Sequence, residues 1–148
     1  MSLMETIKAD TVKAMKSGDK LRLNTLRSVS AAVSKVETSG KQRKELDDDG
    51  VISVLRKEIK TRYESAEIYR NASEIERAEK ETQEADILSE YVPVQLSEED
   101  TRSLISDLIA EKKVEGPRGI GVVMKELKNR SDIDTAMASK ITKDLLSL

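Results

Sequence analysis

A chain of 148 residues that is 37% apolar and 36% charged is long enough to bury a core. It has no Cys and no His, which excludes disulfides, thiol nucleophiles, thiolate zinc sites and iron–sulfur ligation, and removes the commonest acid–base group. The net charge of −2 gives no overall basic character, yet residues 1–44 hold ten Lys or Arg against four Asp or Glu. That local excess suits either a surface for a polyanion or a solvated helix face.

With three Tyr, no Phe and no Trp, the core must be built from Leu, Ile, Val, Met and Ala, which favours helices packed on helices. No apolar run approaches the roughly 20 residues that span a bilayer, and Met1 to Ala14 lacks a signal or transit pattern, so a cytoplasmic protein without a membrane partner is expected.

Ser2-Leu3-Met4-Glu5 is a capping box, and Leu3, Ile7, Ala14 and Met15 follow at helical spacing to a stop at Gly18. Asp19 caps a second helix whose stripe is Leu23, Leu26, Val29, Val33 and Val36, with Lys20, Arg22, Arg27 and Lys35 mostly off it and Gly40 as its expected end. Lys41 to Gly50 reads as a polar loop in which one of Asp47, Asp48 and Asp49 caps the next helix. A calcium loop counted from Asp47 fails, because Val51 and Ile52 stand where an oxygen ligand and a Gly are needed. The third helix runs from Val51 to about Arg70 with Ile52, Leu55, Ile59, Tyr63, Ala66 and Tyr69 or Arg70 in register. Ser73-Glu74-Ile75-Glu76 is a second capping box, opening a fourth helix with Ile75, Ala78, Thr82, Ala85 and Leu88 or Ser89 on one side.

Pro93 lacks an amide proton and pushes Val92 out of the α region, so the arriving helix must stop near Tyr91. Ser97 with Asp100 then starts another, carrying Leu104, Ile105, Leu108 and Ile109. Gly116-Pro117-Arg118-Gly119-Ile120-Gly121 interrupts the chain before a short helix with Ile120, Val123, Met124 and Leu127 on one face and Gly121, Lys125 and Lys128 on another. Asn129-Arg130-Ser131-Asp132 forms a turn, and Asp132 or Asp134 caps a last helix burying Met137 or Ala138, Ile141, Leu145 and Leu148. The expected architecture is all-α: an N-terminal long helical hairpin or bundle of four helices over residues 1–92, a hinge at 93–96, and a small three-helix C-terminal domain over 97–148.

Chemistry concentrates in Gly116 to Arg130. Glycines before a helix let a ligand approach the backbone, first-turn N–H groups favour an anion, and Arg118, Lys125, Lys128 and Arg130 add positive charge. A structural reading fits equally: glycine ends one helix and lets the next pack closely. The spacing matches neither a Walker A loop nor a dinucleotide fingerprint, and no cofactor or metal is expected. The many carboxylates read as caps and solvated faces, and no Ser or Lys stands in a nucleophile setting, so no catalytic residue is assigned. With Tyr63, Tyr69 and Tyr91 as its aromatic residues, the chain has few platforms for stacking bases, so any RNA contact should run through the backbone and shape of a folded RNA.

Ala14-Met15-Lys16-Ser17-Gly18-Asp19-Lys20 leading to Thr25-Leu26-Arg27, then Lys57-Glu58-Ile59-Lys60-Thr61-Arg62, Ile87-Leu88-Ser89-Glu90-Tyr91-Val92-Pro93-Val94-Gln95-Leu96-Ser97-Glu98-Glu99 and Gly121-Val122-Val123-Met124, resemble the YqeY family over essentially the whole chain. That family is similar to the helical tail of the B subunit of the glutamine-dependent aminoacyl-tRNA amidotransferase (GatB/YqeY). The resemblance implies an all-helical protein whose C-terminal part corresponds to the end of that tail, the part that contacts the tRNA body. The family label is carbon–nitrogen ligase activity with glutamine as amido-N-donor, but the amidotransferase's catalytic domains have no counterpart here. The expectation is therefore a translation-related accessory that binds tRNA, not DNA, and is non-catalytic by itself. Its protein partner would be the amidotransferase or another translation protein.

The expected tRNA contacts are Arg118, Gly119, Gly121, Lys125, Lys128 and Arg130, with a second contact from Lys20, Arg22 and Arg27. This chain departs from the family pattern in having Gly121-Val122-Val123-Met124 for Gly-Lys-Val-Met, and Asn129-Arg130-Ser131-Asp132 for a glycine-rich turn. The alternative from another class is a helical protein–protein interaction module without RNA binding.

Overall fold

The structure, a computed structural model, describes residues 1–128 and 130–148. Among the described residues there are seven α-helices and no strand. The chain divides into two compact units, Met1–Val92 and Pro93–Leu148.

In the first unit, α1 (Leu3–Ser17) begins where the Ser2 hydroxyl accepts from the Glu5 N–H, and ends at Gly18 with φ of 76°. That left-handed conformation carries no Cβ penalty in glycine. Asp19 caps α2 (Lys20–Glu37), accepting from the Arg22 N–H. Asp47 caps α3 (Asp48–Asn71), accepting from the Gly50 N–H at 2.8 Å. The fourth helix, α4 (Ile75–Ser89), packs along α3, and α2 touches both of them. Ile7, Leu26, Val29, Val33, Val51, Leu55 and Leu88 form the core.

Several expectations need correction. α2 stops at Glu37, short of Gly40, because the Thr38 hydroxyl donates to Ser34 O and the Ser39 hydroxyl to Val36 O, closing the last turn early. Ser73 caps nothing. It takes φ of 62° and closes α3, its N–H donating to Arg70 O while the Glu74 N–H reaches Tyr69 O, a Schellman arrangement. On α3, Leu55 and Ala66 are buried as expected and Ile59 packs on the core, but Val51 is buried in place of Ile52, and Tyr63 is exposed while its neighbour Arg62 faces inward. Met15, Val36, Ile75 and Leu148, all placed on buried stripes by periodicity, are each about half exposed; the first three lie in the end turns of their helices and Leu148 lies past the end of α7.

Arg62 therefore lies inside, 8% exposed. Its Nη1 donates to Glu58 Oε2 at 2.6 Å, its Nε to Glu84 Oε2 at 3.3 Å and its Nη2 to Ser28 Oγ at 3.0 Å. One guanidinium thus joins α2, α3 and α4, with its charge paired and its donors directed, as burial of an arginine requires. Nearby, burial and then the Glu84 charge hold the Glu81 carboxyl above its ordinary range.

In the second unit, Ser97 caps α5 (Glu98–Lys112), accepting from the Asp100 N–H at 3.1 Å. Leu96 belongs here too, since it packs on the core and its N–H donates to Asp132 O at 2.7 Å. Lys113 and Gly116, both at positive φ, turn the chain into α6 (Arg118–Leu127). Pro117, at φ of −60°, presets the start of that helix. Asp134 caps α7 (Thr135–Leu145), accepting from the Ala136 and Met137 N–H groups. Ile105, Val123, Leu127, Ile133, Ala138 and Ile141 form the second core. Ile133, in the turn before α7, has no helical period to announce it.

Candidate functional site

The short amphipathic helix α6 presents two faces. Val123 and Leu127 are buried and Met124 packs on the same core, which fixes the helix's rotation. Arg118, Gly121, Lys125 and Lys128, spaced i, i+3, i+7 and i+10, consequently fall on the outer side, and all four are exposed. Seven residues separate Arg118 from Lys125, about 10 Å along a helix axis. Among the described residues, none forms an ion pair with Arg118, Lys125 or Lys128. Val122, where a lysine would extend the row, is 37% exposed.

The other expected site residues behave differently. Gly119 is buried, and a Cβ on it would stand 2.9 Å from Leu146 Cδ1 and 3.4 Å from Val114, so this glycine serves the close packing of α6. The first turn of α6 is also partly closed on itself, since the Gly119 N–H donates to Gly116 O and the Ile120 N–H to Pro117 O. Both donors are thereby withdrawn from any anion at the helix N-terminus. Arg130 pairs with Asp132 at 2.8 Å, and that hydrogen bond raises its pKa. Asn129, in the same expected turn, lies outside the described residues.

The second expected contact, on α2, is also divided. Lys20 and Arg27 are exposed and seven residues apart, hence on one face. Arg22 points elsewhere, its Nη1 2.7 Å from Glu90 Oε2, an interaction that raises its pKa. Beside it the Tyr91 hydroxyl donates to Asp10 Oδ2 at 2.6 Å, and burial followed by that bond pushes the phenol up to about 12. Arg22 is a fastening between α2 and the end of α4 rather than part of a shared basic face with Lys20 and Arg27.

A cleft of about 670 Å³ opens in the first unit among the start of α1, the C-terminal half of α2 and the loop before α3. Three of its carboxylates already have partners. Glu37 accepts from the Leu46 N–H at 2.9 Å, Asp48 from the Leu3 N–H at 2.9 Å, and Asp47 is the cap of α3. Among the described residues, no group of three or more acidic side chains is gathered as a metal site.

The sequence model of the Yqey-like protein family matches residues 4–146. The chain belongs to the YqeY family. Two fungal relatives share most of its length, both named "Altered inheritance of mitochondria protein 41, mitochondrial". The protein of Pyrenophora tritici-repentis is 30% identical over 145 residues, covering 93% of this chain and 77% of that one. The protein of Clavispora lusitaniae is 25% identical over 148 residues, covering 98% and 85%. Within this YqeY-family chain, no helix among the described residues is long and apolar enough to cross a membrane.

Proposed function

We propose that this YqeY-family protein is an accessory that binds folded RNA through the outer face of α6, with tRNA as the RNA implied by the likeness to the amidotransferase tail. One observation carries the reading: Arg118, Lys125 and Lys128 line a single exposed face and have no intramolecular ion pair among the described residues. Unpaired cations in a row suit a sugar–phosphate backbone, where each neutralised phosphate releases counterions. The few aromatic residues disfavour base stacking, which points to shape and backbone over sequence. In this reading the chain is non-catalytic by itself. Its second unit is the tail-like domain, joined through residues 93–96, and it works in the cytoplasm beside the amidotransferase or another translation protein. Lys20 and Arg27 on α2 provide a secondary contact.

The test is binding of purified protein to total tRNA by the wild type and by Lys125→Glu with Lys128→Glu. The reading expects loss of binding with helicity unchanged, and unchanged binding overturns it.

A second reading, a protein-interaction module, draws on Ile68 and Ile75, which are 68% and 51% exposed on either side of the α3–α4 turn. A partner retained after ribonuclease treatment and lost in Ile68→Asp with Ile75→Asp would favour it. Retention in that variant would exclude these isoleucines as the contact.

A further inference from the structure

Three glycines in and before α6 have three different explanations, and the third lies outside the fold. Gly116 has φ of 65°, a conformation that other residues adopt at a cost. Gly119 is buried in close packing, where a Cβ would press on the Leu146 methyl. Gly121 has neither reason. It lies inside α6 with no positive φ, it is exposed, and a Cβ built on it meets nothing within 4 Å. Glycine in a helix interior destabilises the helix relative to alanine, because it loses more backbone freedom on folding. The fold therefore bears a cost at Gly121 and gains no packing in return.

Its neighbours show where the compensation lies. Gly121 falls between Arg118 and Lys125 on the face whose cations have no ion pair among the described residues. Without a side chain, the helix surface at that point is bare backbone, lower than the flanking arginine and lysine by the height of a side chain. An elongated anion held by those cations can lie against the helix itself there. A larger residue would hold it off and lengthen the charge contacts on both sides.

Resting on the RNA reading above, we infer that Gly121 is the position of closest approach, where the RNA sugar–phosphate backbone lies directly on α6 between Arg118 and Lys125. Glycine is kept there for access.

This assignment makes stability and binding move in opposite directions. Gly121→Ala and Gly121→Leu in the full chain should each raise the melting temperature, because the added side chain enters open space and improves helix propensity. Binding of total tRNA, followed by fluorescence anisotropy at fixed low salt, should weaken about threefold in Gly121→Ala and at least tenfold in Gly121→Leu. Gly121→Ala keeps the test valid should the larger side chain disturb the unit, and circular dichroism checks helicity in both. Unchanged or tighter binding by both variants, alongside loss of binding in Lys125→Glu with Lys128→Glu, overturns the assignment of Gly121 and leaves the RNA reading standing. A wild-type chain that binds no tRNA at low salt overturns the RNA reading and this inference together.

Discussion

Positive charge is used in contrasting ways by the paired arginines of the first unit and the cations of α6. In Met1–Val92, three arginines are structural. Arg62 is buried against Glu58 and Glu84, Arg22 grips Glu90, and Arg70 pairs with Glu67 at 3.1 Å. In Pro93–Leu148, the cations of α6 face outward without an ion pair among the described residues. The local excess of positive charge in residues 1–44 pointed to the first unit as the basic one. Of the ten cations there, Arg22 and Arg43 pair with carboxylates and the other eight form no ion pair among the described residues, so the exposed row on α6 stands beside a basic first third rather than in place of it.

The comparison breaks most sharply at Arg62. Arg62→Ala leaves two carboxylates crowded beside Glu81 and without their counter-charge, at an expected cost of about 2–3 kcal/mol in urea unfolding, the lower end for a buried pair because the glutamates are partly exposed. Arg62→Met combined with Glu58→Gln and Glu84→Gln removes the whole cluster and should recover most of that loss. A loss under about 0.5 kcal/mol in Arg62→Ala, the range of an ordinary surface substitution, would show that the cluster is not structural.

At the end of α4 the effects are smaller. Arg22→Ala should cost at most about 1 kcal/mol, since that pair is partly exposed. The Tyr91 phenol beside it gives a pH signature. Its folded pKa, about 12, lies above the ordinary 10, so the folded chain holds the proton more tightly. The stabilisation is complete below pH 10 and is lost as pH rises toward 12. Wild type should therefore lose more stability than Tyr91→Phe between urea titrations at pH 9 and pH 11. Equal losses would contradict the raised pKa of Tyr91.

Least of all should change when the outward cations of α6 are removed. Lys125→Ala with Lys128→Ala should leave stability within about 0.5 kcal/mol of wild type, as expected for surface positions that make no internal contact.

Helix boundaries set by caps were legible in the sequence, because Ser2, Asp19 and Ser97 act through local hydrogen bonds. The family was legible from the motifs around Pro93 and Gly121, and the family match confirms it. Ser73 misled because one residue served two helices: the geometry that closes α3 removed it from the start of α4. Arg62 was hidden because an apolar period assigns charged residues to solvent. Only the convergence of Glu58, Glu84 and Ser28 from three helices makes its burial tolerable, and those residues lie up to 34 positions away. On α6 the sequence gathered Gly119, Gly121 and Arg130 under one heading. Packing against Leu146 and pairing with Asp132 separate two of them from the exposed face.

The most direct measurement of the central claim is the salt dependence of tRNA binding by wild type and by Lys125→Ala with Lys128→Ala. If the lysines meet phosphates, affinity in the double variant falls and the slope of log K against log salt becomes shallower by about two, one for each lost phosphate contact. An unchanged slope and affinity would contradict the account and place any RNA contact away from α6.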